Sequence, residues 1–514
     1  MTVITLKKGV VLLLVSLLVL SSYASCSKPE STHAGSSQDQ TQPDQQTTEP
    51  SKSEENEIGE SVNDIDFTNL SFIDRLKYTN SLISDDLPEI TYDGKSFGIM
   101  GINFPDEING EVLNDSLFAQ KTTIEERFNV KLEYVTHNSN TWDGYIAEVN
   151  SWFNAGEDFA GLIENNNAAT SGFAVKGYFD DLSKYPVIDT SKPWYFKDEM
   201  DLYGYKGHYY VATGTMNART VMNAIHVTFF NKSIQQEYGM DDFYQVVRDG
   251  GWTLDYVKKI VSDFYFDLDG DGTKNESDLY GLSYATLGSW MVELPALGIP
   301  QISKDPDGIP TLSAVSDAEH VETVMDSLKE LTEMEGSRCV DEWAVTAFDT
   351  GKALFAVREL QYMNVFRDGN LELDFGILPP FKADEYQAHY YTSYLPCPFA
   401  IPITHEDKDM SAILLTALAA EGFKQVLPAY YQTAIKTKYS TDEQSGEMLD
   451  LMLKNIRADG IMIYADDSSL YNLNQFLTSG QGFASYWKSK EKTMKKLMEK
   501  NMNSIAALSG EVAP

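Results

Sequence analysis

From Lys95 onward, apolar side chains recur in two alternating periods. KSFGIMGINF and VKLEYV place them at every second position, the period of a strand with one face buried. The stretch between them, NDSLFAQKTTIEERF, spaces Leu117, Phe118, Ile124 and Phe128 along one side of a helix. YIAEVNSWFNA repeats the helical spacing, and FAGLIE is a short apolar strand that ends at Asn165, Asn166 and Asn167. The order strand, helix, strand, helix, strand predicts a parallel sheet with helices on its faces. Ligands of such sheets bind beyond the carboxyl ends of the strands. That rule puts Asn103, after the first strand, and Asn165 to Asn167, after the third, beside one cleft.

Further along, WTLDYVKKIVSDF is helical and LYGLSY is a strand. SDAEHVETVMDSLKEL carries Ser316 as an expected N-cap with Glu319 three residues on, and a core stripe of Val321, Val324, Met325, Leu328 and Leu331. FASYWKSKEKTMKKLMEK is an amphipathic helix near the C-terminus whose basic face reads as solvated surface. A chain of 514 residues exceeds what one hydrophobic core supports, so two or three cores are expected.

The first residues carry an address. Lys7 and Lys8 precede the apolar run Val10 to Leu20, and Ala24 and Ser25 precede Cys26. This is the pattern of an export signal over residues 1–25, its apolar run too short for a bilayer span. A cysteine directly after a small-residue cleavage site resembles the lipobox of bacterial lipoproteins, with Tyr23 where that box usually has an aliphatic residue. Cys26 is the expected lipidation site, its acyl chains holding the protein on a membrane. The plainer alternative is a secreted protein with a coincidental cysteine. Residues 26–65 are polar and interrupted by proline, with too little apolar surface to offset ordering entropy, so they are expected to form a disordered tether. Cys339 and Cys397 remain, and an exported compartment permits either a disulfide between them or two buried thiols.

Charge narrows the partners. With 40 basic and 77 acidic side chains the formal net charge is −37, which repels nucleic acid. Some of that acid is concentrated in DLDGDGTKNESD, residues 267–278. Asp267, Asp269 and Asp271 hold the first, third and fifth places of a twelve-residue calcium loop, and Gly272 makes the turn at the sixth. Thr273 offers its carbonyl at the seventh, Asn275 the ninth position and Asp278 the last. Aspartate at the last place reaches less far than the usual glutamate, so a modest affinity for structural Ca2+ is expected, suited to an extracellular module. The alternative is an acidic turn that holds no metal.

The same segment, WTLDYVKKIVSDF with DLDGDG and DLYGL, resembles one in the extracellular solute-binding lipoproteins of bacterial ABC importers, the carbohydrate-type group containing maltose-binding protein. GYFDDLSKY, YGYKGHYYVAT, HVTFFNKSIQQEYG, AFDTGKALFAV, DFGILPPF, FAIPITHEDKDMSAILLTAL and AIKTKYS are similar to pieces of that group and follow in its order. The similarity runs from about Lys95 to the C-terminus. It implies an α/β, two-lobed periplasmic-binding-protein-like fold with a three-crossing hinge that closes on a ligand. The expected crossings lie near Asn223 to His226, Leu395 to Ile401 and Tyr431 to Tyr439. Lobe one would hold 93–224 plus 397–433, and lobe two 225–396 plus 434–514.

The resemblance also implies a function: a monomeric receptor, lipid-anchored on the outer face of the cytoplasmic membrane of a Gram-positive bacterium, that captures an oligosaccharide and delivers it to an ABC permease. Sugar sites combine aromatic platforms with amides and charged groups. By motif, Tyr362 with Arg358 and Glu359, Trp290, and Asn165 to Asn167 are the expected ligand contacts. Asn103, Tyr391 and Tyr394 join them from loop position. Where the group has an acidic contact before its fourth-strand motif, this chain has Ala224, which separates its sugar specificity from that of the group. An exported glycoside hydrolase and a receptor for peptides or other polar nutrients are the competing readings. No H-E-x-x-H zinc helix and no phosphate-binding G-x-x-x-x-G-K-[ST] loop is present, and the seven histidines are scattered.

Overall fold

The computed structural model describes residues 65–79, 83–139, 141–164, 167–285, 294–340, 347–368, 373–394, 396–431, 442–457, 459–465 and 472–510. The expected signal, Cys26 and most of the expected tether lie outside them, as do Asn165, Asn166 and Trp290.

The alternating segments fold as their periods require. β1 (Lys95–Met100), α1 (Val112–Phe128), β2 (Val130–Val135), α2 (Trp142–Ala155), β3 (Leu162–Glu164) and α3 (Asn167–Ala174) follow one another as the apolar pattern orders them. α1 buries Leu117, Ile124 and Phe128, and it ends at Asn129, whose φ of 43° is the left-handed conformation that stops a helix. β1 pairs in parallel with both β2 and β3, which makes it the centre of a sheet completed by β12 (Phe399–Ala400), in the order β12-β3-β1-β2.

A second sheet is built from β4 (His226–Asn231), β5 (Tyr265–Phe266), β6 (Leu279–Ala285), β9 (Ser337–Val340), β10 (Ala353–Glu359) and β11 (Phe375–Leu378). Its order is β11-β4-β10-β6-β5, with β9 beside β6. β4 runs antiparallel to β10 and β11, whereas β6, β9 and β10 are parallel. β7 (Ile302–Lys304) and β8 (Pro310–Leu312) form a separate ribbon. Its helices include α4 (Phe243–Arg248), α5 (Leu254–Ser262) and α6 (Ala318–Glu333). The α6 stripe is buried as its spacing requires, at Val321, Val324, Met325, Leu328 and Leu331. Its N-cap is not Ser316. A short helical turn, Ser313–Ser316, takes that residue, its hydroxyl donates back to the Leu312 carbonyl, and α6 starts behind Asp317 without a side-chain cap.

The chain passes between the two sheets three times: from β3 to β4, from β11 to β12, and from α7 (Lys408–Glu421) to α8 (Glu443–Leu453), which packs on β11. Most of the third passage, 432–441, lies outside the described residues. The first two passages are bonded together where His226 N donates to the Ser393 carbonyl at 3.1 Å and Thr392 Oγ1 to the His226 carbonyl at 2.7 Å. α7 continues to Tyr431 through a π turn at Gly422. A Cβ there would lie 1.8 Å from the Thr215 carbonyl oxygen, so only glycine allows this approach. By length and composition Lys408–Tyr431 could cross a bilayer, yet 83% of its apolar window is buried inside the protein, which makes it a core helix. The final helix, α9 (Phe483–Leu508), buries Phe483, Tyr486, Trp487, Met494 and Ile505 and turns lysines such as Lys488, Lys492 and Lys496 to solvent. No disulfide joins Cys339, which is exposed, to Cys397, which is half-buried.

Candidate functional site

Parallel strands aim their carboxyl ends at one side of a sheet, and in the first sheet that side holds a cavity. It has a volume of about 400 Å3 and is lined by Met100 and Gly101 from the end of β1, Tyr134 from β2, Glu164 from β3, and His137, Trp142 and Tyr145 beyond. Thr141 caps α2 by accepting from Gly144 N at 3.2 Å, which sets Trp142 at the helix mouth. Tyr134 is 46% and Trp142 37% exposed, large apolar faces left at a cavity rim. Tyr145 supports Trp142 and His137, its ring centroid 5.6 Å from the first and 5.0 Å from the second.

Glu164 is the polar centre of this wall. Gly101 has φ of 111°, and a Cβ on it would lie 2.4 Å from Glu164 Cβ, so glycine is what lets the carboxyl lie against the end of β1. Asn217 Nδ2 donates to both Glu164 oxygens at 3.0 Å. Burial pushes the carboxyl up to about 7, while Asn217 and the charge of Arg219 pull the other way. Near neutral pH it can therefore donate or accept, and it stands beside two aromatic faces. These are complementary to the apolar faces and radial hydroxyls of a sugar ring.

The second sheet offers a matching end at β10. Arg358 is 2% exposed, its guanidinium carbon lies 3.6 Å from the Tyr362 ring centroid, and its Nη1 finds no hydrogen-bond partner among the described residues. Glu359 and Tyr362 are half-buried next to it. A buried cationic donor stacked on a ring and left with an open N–H is suited to a polar ligand. Leu360 N donates to the Ile225 carbonyl and Gln361 N to that of Asn223. Asn217, on Glu164, caps one short helix, Ala218–Asn223, of which Asn223 is the last residue. At 1.5 Å rise per residue the two ends are thus joined by a helix about 9 Å long.

Of the residues expected from sequence, the structure brings Arg358, Glu359 and Tyr362 together. Asn103 is exposed on the loop two residues past Gly101, and Asn167 opens α3. Tyr391 is half-buried and stacks on Arg457, whose guanidinium carbon is 3.5 Å from its ring centroid. Tyr394 is bonded to another acid. It is 6% exposed, and its hydroxyl donates to buried Glu199 at 2.8 Å. Trp142, Tyr134, Glu164 and Asn217 escaped the motif reading. The strand-end rule that pointed to Asn103 and to Asn165 would have found Glu164, the residue just before Asn165.

The calcium-like loop keeps its oxygens together. Carboxylate oxygens of Asp267, Asp269 and Asp271 lie within 4.8 Å of one another, and Gly270 and Gly272 make its turns at φ of 72° and 73°. Asn275 Nδ2 donates to Asp269 Oδ2 at 2.9 Å, Asp271 Oδ2 at 3.3 Å and the Thr273 carbonyl at 3.1 Å, so an amide nitrogen already gathers three of the expected oxygens. This hard-oxygen set fits a calcium ion. Asp278 is buried and accepts from Leu268 N, Asn275 N and the Tyr265 hydroxyl, which makes it the support of the loop.

Gly94 to Gly98 read G-K-S-F-G, the spacing of a hydrolase nucleophile elbow. Ser96, however, is the exposed second residue of β1, paired with Lys131 in the ladder rather than set on a strand-to-helix turn.

No family model and no curated protein matches the sequence. Solved structures do resemble the fold. An ABC substrate-binding protein from Listeria monocytogenes in complex with cycloalternan superposes with a TM-score of 0.50 at 14% identity, over 79% of this chain and 99% of that one. An ABC transporter solute-binding protein from Thermotoga lettingae bound with alpha-D-tagatose gives the same TM-score of 0.50 at 14% identity, over 79% of this chain and 100% of that one. The fold is two-lobed, as in these two structures, with one sheet to each lobe.

Proposed function

We propose that this protein is a carbohydrate receptor of an ABC importer, which captures a sugar between its lobes and releases it unchanged to a permease. The supporting observation is the pairing of two strand-end surfaces. Trp142, Tyr134 and Glu164 stand on one sheet, Arg358 and Tyr362 on the other, joined by the helix Ala218–Asn223. Aromatic faces stack on sugar rings, and Glu164 with the open N–H of Arg358 takes their hydroxyls. Sugars are also named as ligands in both structural likenesses. Closure needs no chemistry, only higher affinity for the shut form.

In this reading the receptor is a monomer, exported and held by lipid on Cys26 at the outer face of the cytoplasmic membrane, with residues 26–65 as its tether. Calcium at Asp267, Asp269 and Asp271, with the Thr273 carbonyl, clips α5 to β6. Titration with a panel of α- and β-linked oligosaccharides, followed by calorimetry and by analysis of the recovered sugar, tests the reading. Saturable binding with intact sugar returned supports it. Cleaved product, or no binding by any sugar when a peptide panel does bind, overturns it.

A further inference from the structure

A second cavity, of about 620 Å3, lies beside the β11 edge of the second sheet, between the end of α4, the 382–390 segment and α8. Lys382 lines it. The main chain of Lys382 is clamped, its N–H donating to the Trp252 carbonyl at 3.0 Å and its carbonyl accepting from Leu254 N at 2.8 Å. Its side chain is thereby directed over Gly250 and across Tyr390, with Nζ 5.3 Å from that ring centroid. Lys382 is only 6% exposed, and among the described residues no carboxylate comes within ion-pair distance of it. An ammonium held at a cavity wall without a counter-charge keeps its N–H groups available to an anion.

The other charges on the wall leave room for an anion. Arg248 and Glu447 neutralise each other, with Nη2 to Oε2 at 2.6 Å. Burial pushes the Asp450 carboxyl up from its ordinary value, while the charge of Lys454 pulls it the other way. Lys454 adds a second cation to the same wall. In a chain of net charge −37 the cavity is a local exception, since Arg248, Lys382 and Lys454 outnumber Glu447 and Asp450 on its wall.

We propose that this cavity binds a small oxyanion, a phosphate or carboxylate, seated on Lys382 and steadied by Lys454. The site is independent of the carbohydrate cleft. In the test, full-length protein is titrated with inorganic phosphate and, separately, with citrate, in chloride of matched ionic strength. The acylation rate of Lys382 is read in parallel by mass spectrometry. The expected result is saturable binding of one anion, with Lys382 protected while exposed Lys95 is not. Lys382→Met weakens that binding at least about tenfold, the loss of one charge-assisted hydrogen bond, and Lys382→Arg retains it. Whichever anion binds more tightly identifies the source. The proposal is overturned if neither anion saturates, if Lys382 reacts at the same rate with and without them, or if folded Lys382→Met binds as the parent does. The labelling arm uses the parent alone, so it decides even if the variant fails to fold.

Discussion

Glu199 and Glu164 are acids whose folded environment works against their charge. Burial raises Glu199 to about 7 against Tyr394 donating to it, and it is 7% exposed. A carboxyl raised above its unfolded value of 4.5 contributes stability that is complete below that pH and lost as pH climbs through about 7. Glu199→Gln removes that loss, so the Tm of the variant relative to the parent is expected to rise between pH 5 and pH 8, by the equivalent of about 3 kcal/mol at most. Calorimetric scans at the two pH values check it, and a constant difference would refute the assignment. Trp142→Ala removes a rim aromatic without emptying the core. It is expected to weaken the bound sugar about tenfold while leaving Tm nearly unchanged, as titration and thermal melts would measure. Arg75 is buried and donates to the Tyr195 carbonyl at 2.7 Å and the Leu70 carbonyl at 3.1 Å. Arg75→Met leaves those carbonyls unmet and is expected to cost about 2–4 kcal/mol in urea unfolding, since each abandoned partner carries its own desolvation.

Among the elements, those with a strict period were legible in the sequence. β1, α1, β2, α2 and β3 appear where alternate or helical spacing put them, because burying one face demands that spacing and nothing else in the chain supplies it. Ser316 misled because a cap signature is local, and a preceding turn can take the same residue. The loop from Asp267 to Asp278 was legible as chemistry, since its ligand positions are set by sequence interval alone. Asp278 was legible only as a ligand, and its role as the buried acceptor of two backbone N–H groups needed coordinates. If the loop holds calcium, a chelator lowers Tm by about 1–2 °C in millimolar calcium, and Asp269→Ala abolishes that response without changing the sugar affinity.

For the whole molecule, the decisive feature is that segments distant in sequence are fastened to one another. The turn at Ile461–Tyr464 packs on α3, and the Tyr464 hydroxyl donates to the Gly204 carbonyl at 2.5 Å. Lys304 of β7 reaches the same carbonyl at 2.7 Å. The Gln301 and Ile302 N–H groups donate to Asp459. The C-terminal stretch expected within lobe two therefore also grips elements expected within lobe one. Closure on a sugar is expected as a fall in the radius of gyration in solution scattering when the ligand is added. Tyr464→Phe, which removes the bond to the Gly204 carbonyl, is expected to widen the unliganded form and leave the liganded one unchanged.

Sequence by itself determined the strands and helices of the first sheet, the order of the fold's pieces and the oxygen spacing of the aspartate loop, because each depends on intervals of a few residues. It also pointed to Arg358, Glu359 and Tyr362 through a local motif. Tertiary structure decided that Tyr394 is buried on Glu199, that Gly101 makes room for Glu164, and that Asn217 holds that carboxyl. Glu164 and Asn217 are 53 positions apart, and Tyr394 and Glu199 are 195 apart. Pairings across such separations are set by packing of whole sheets and passages, which no short window of residues encodes.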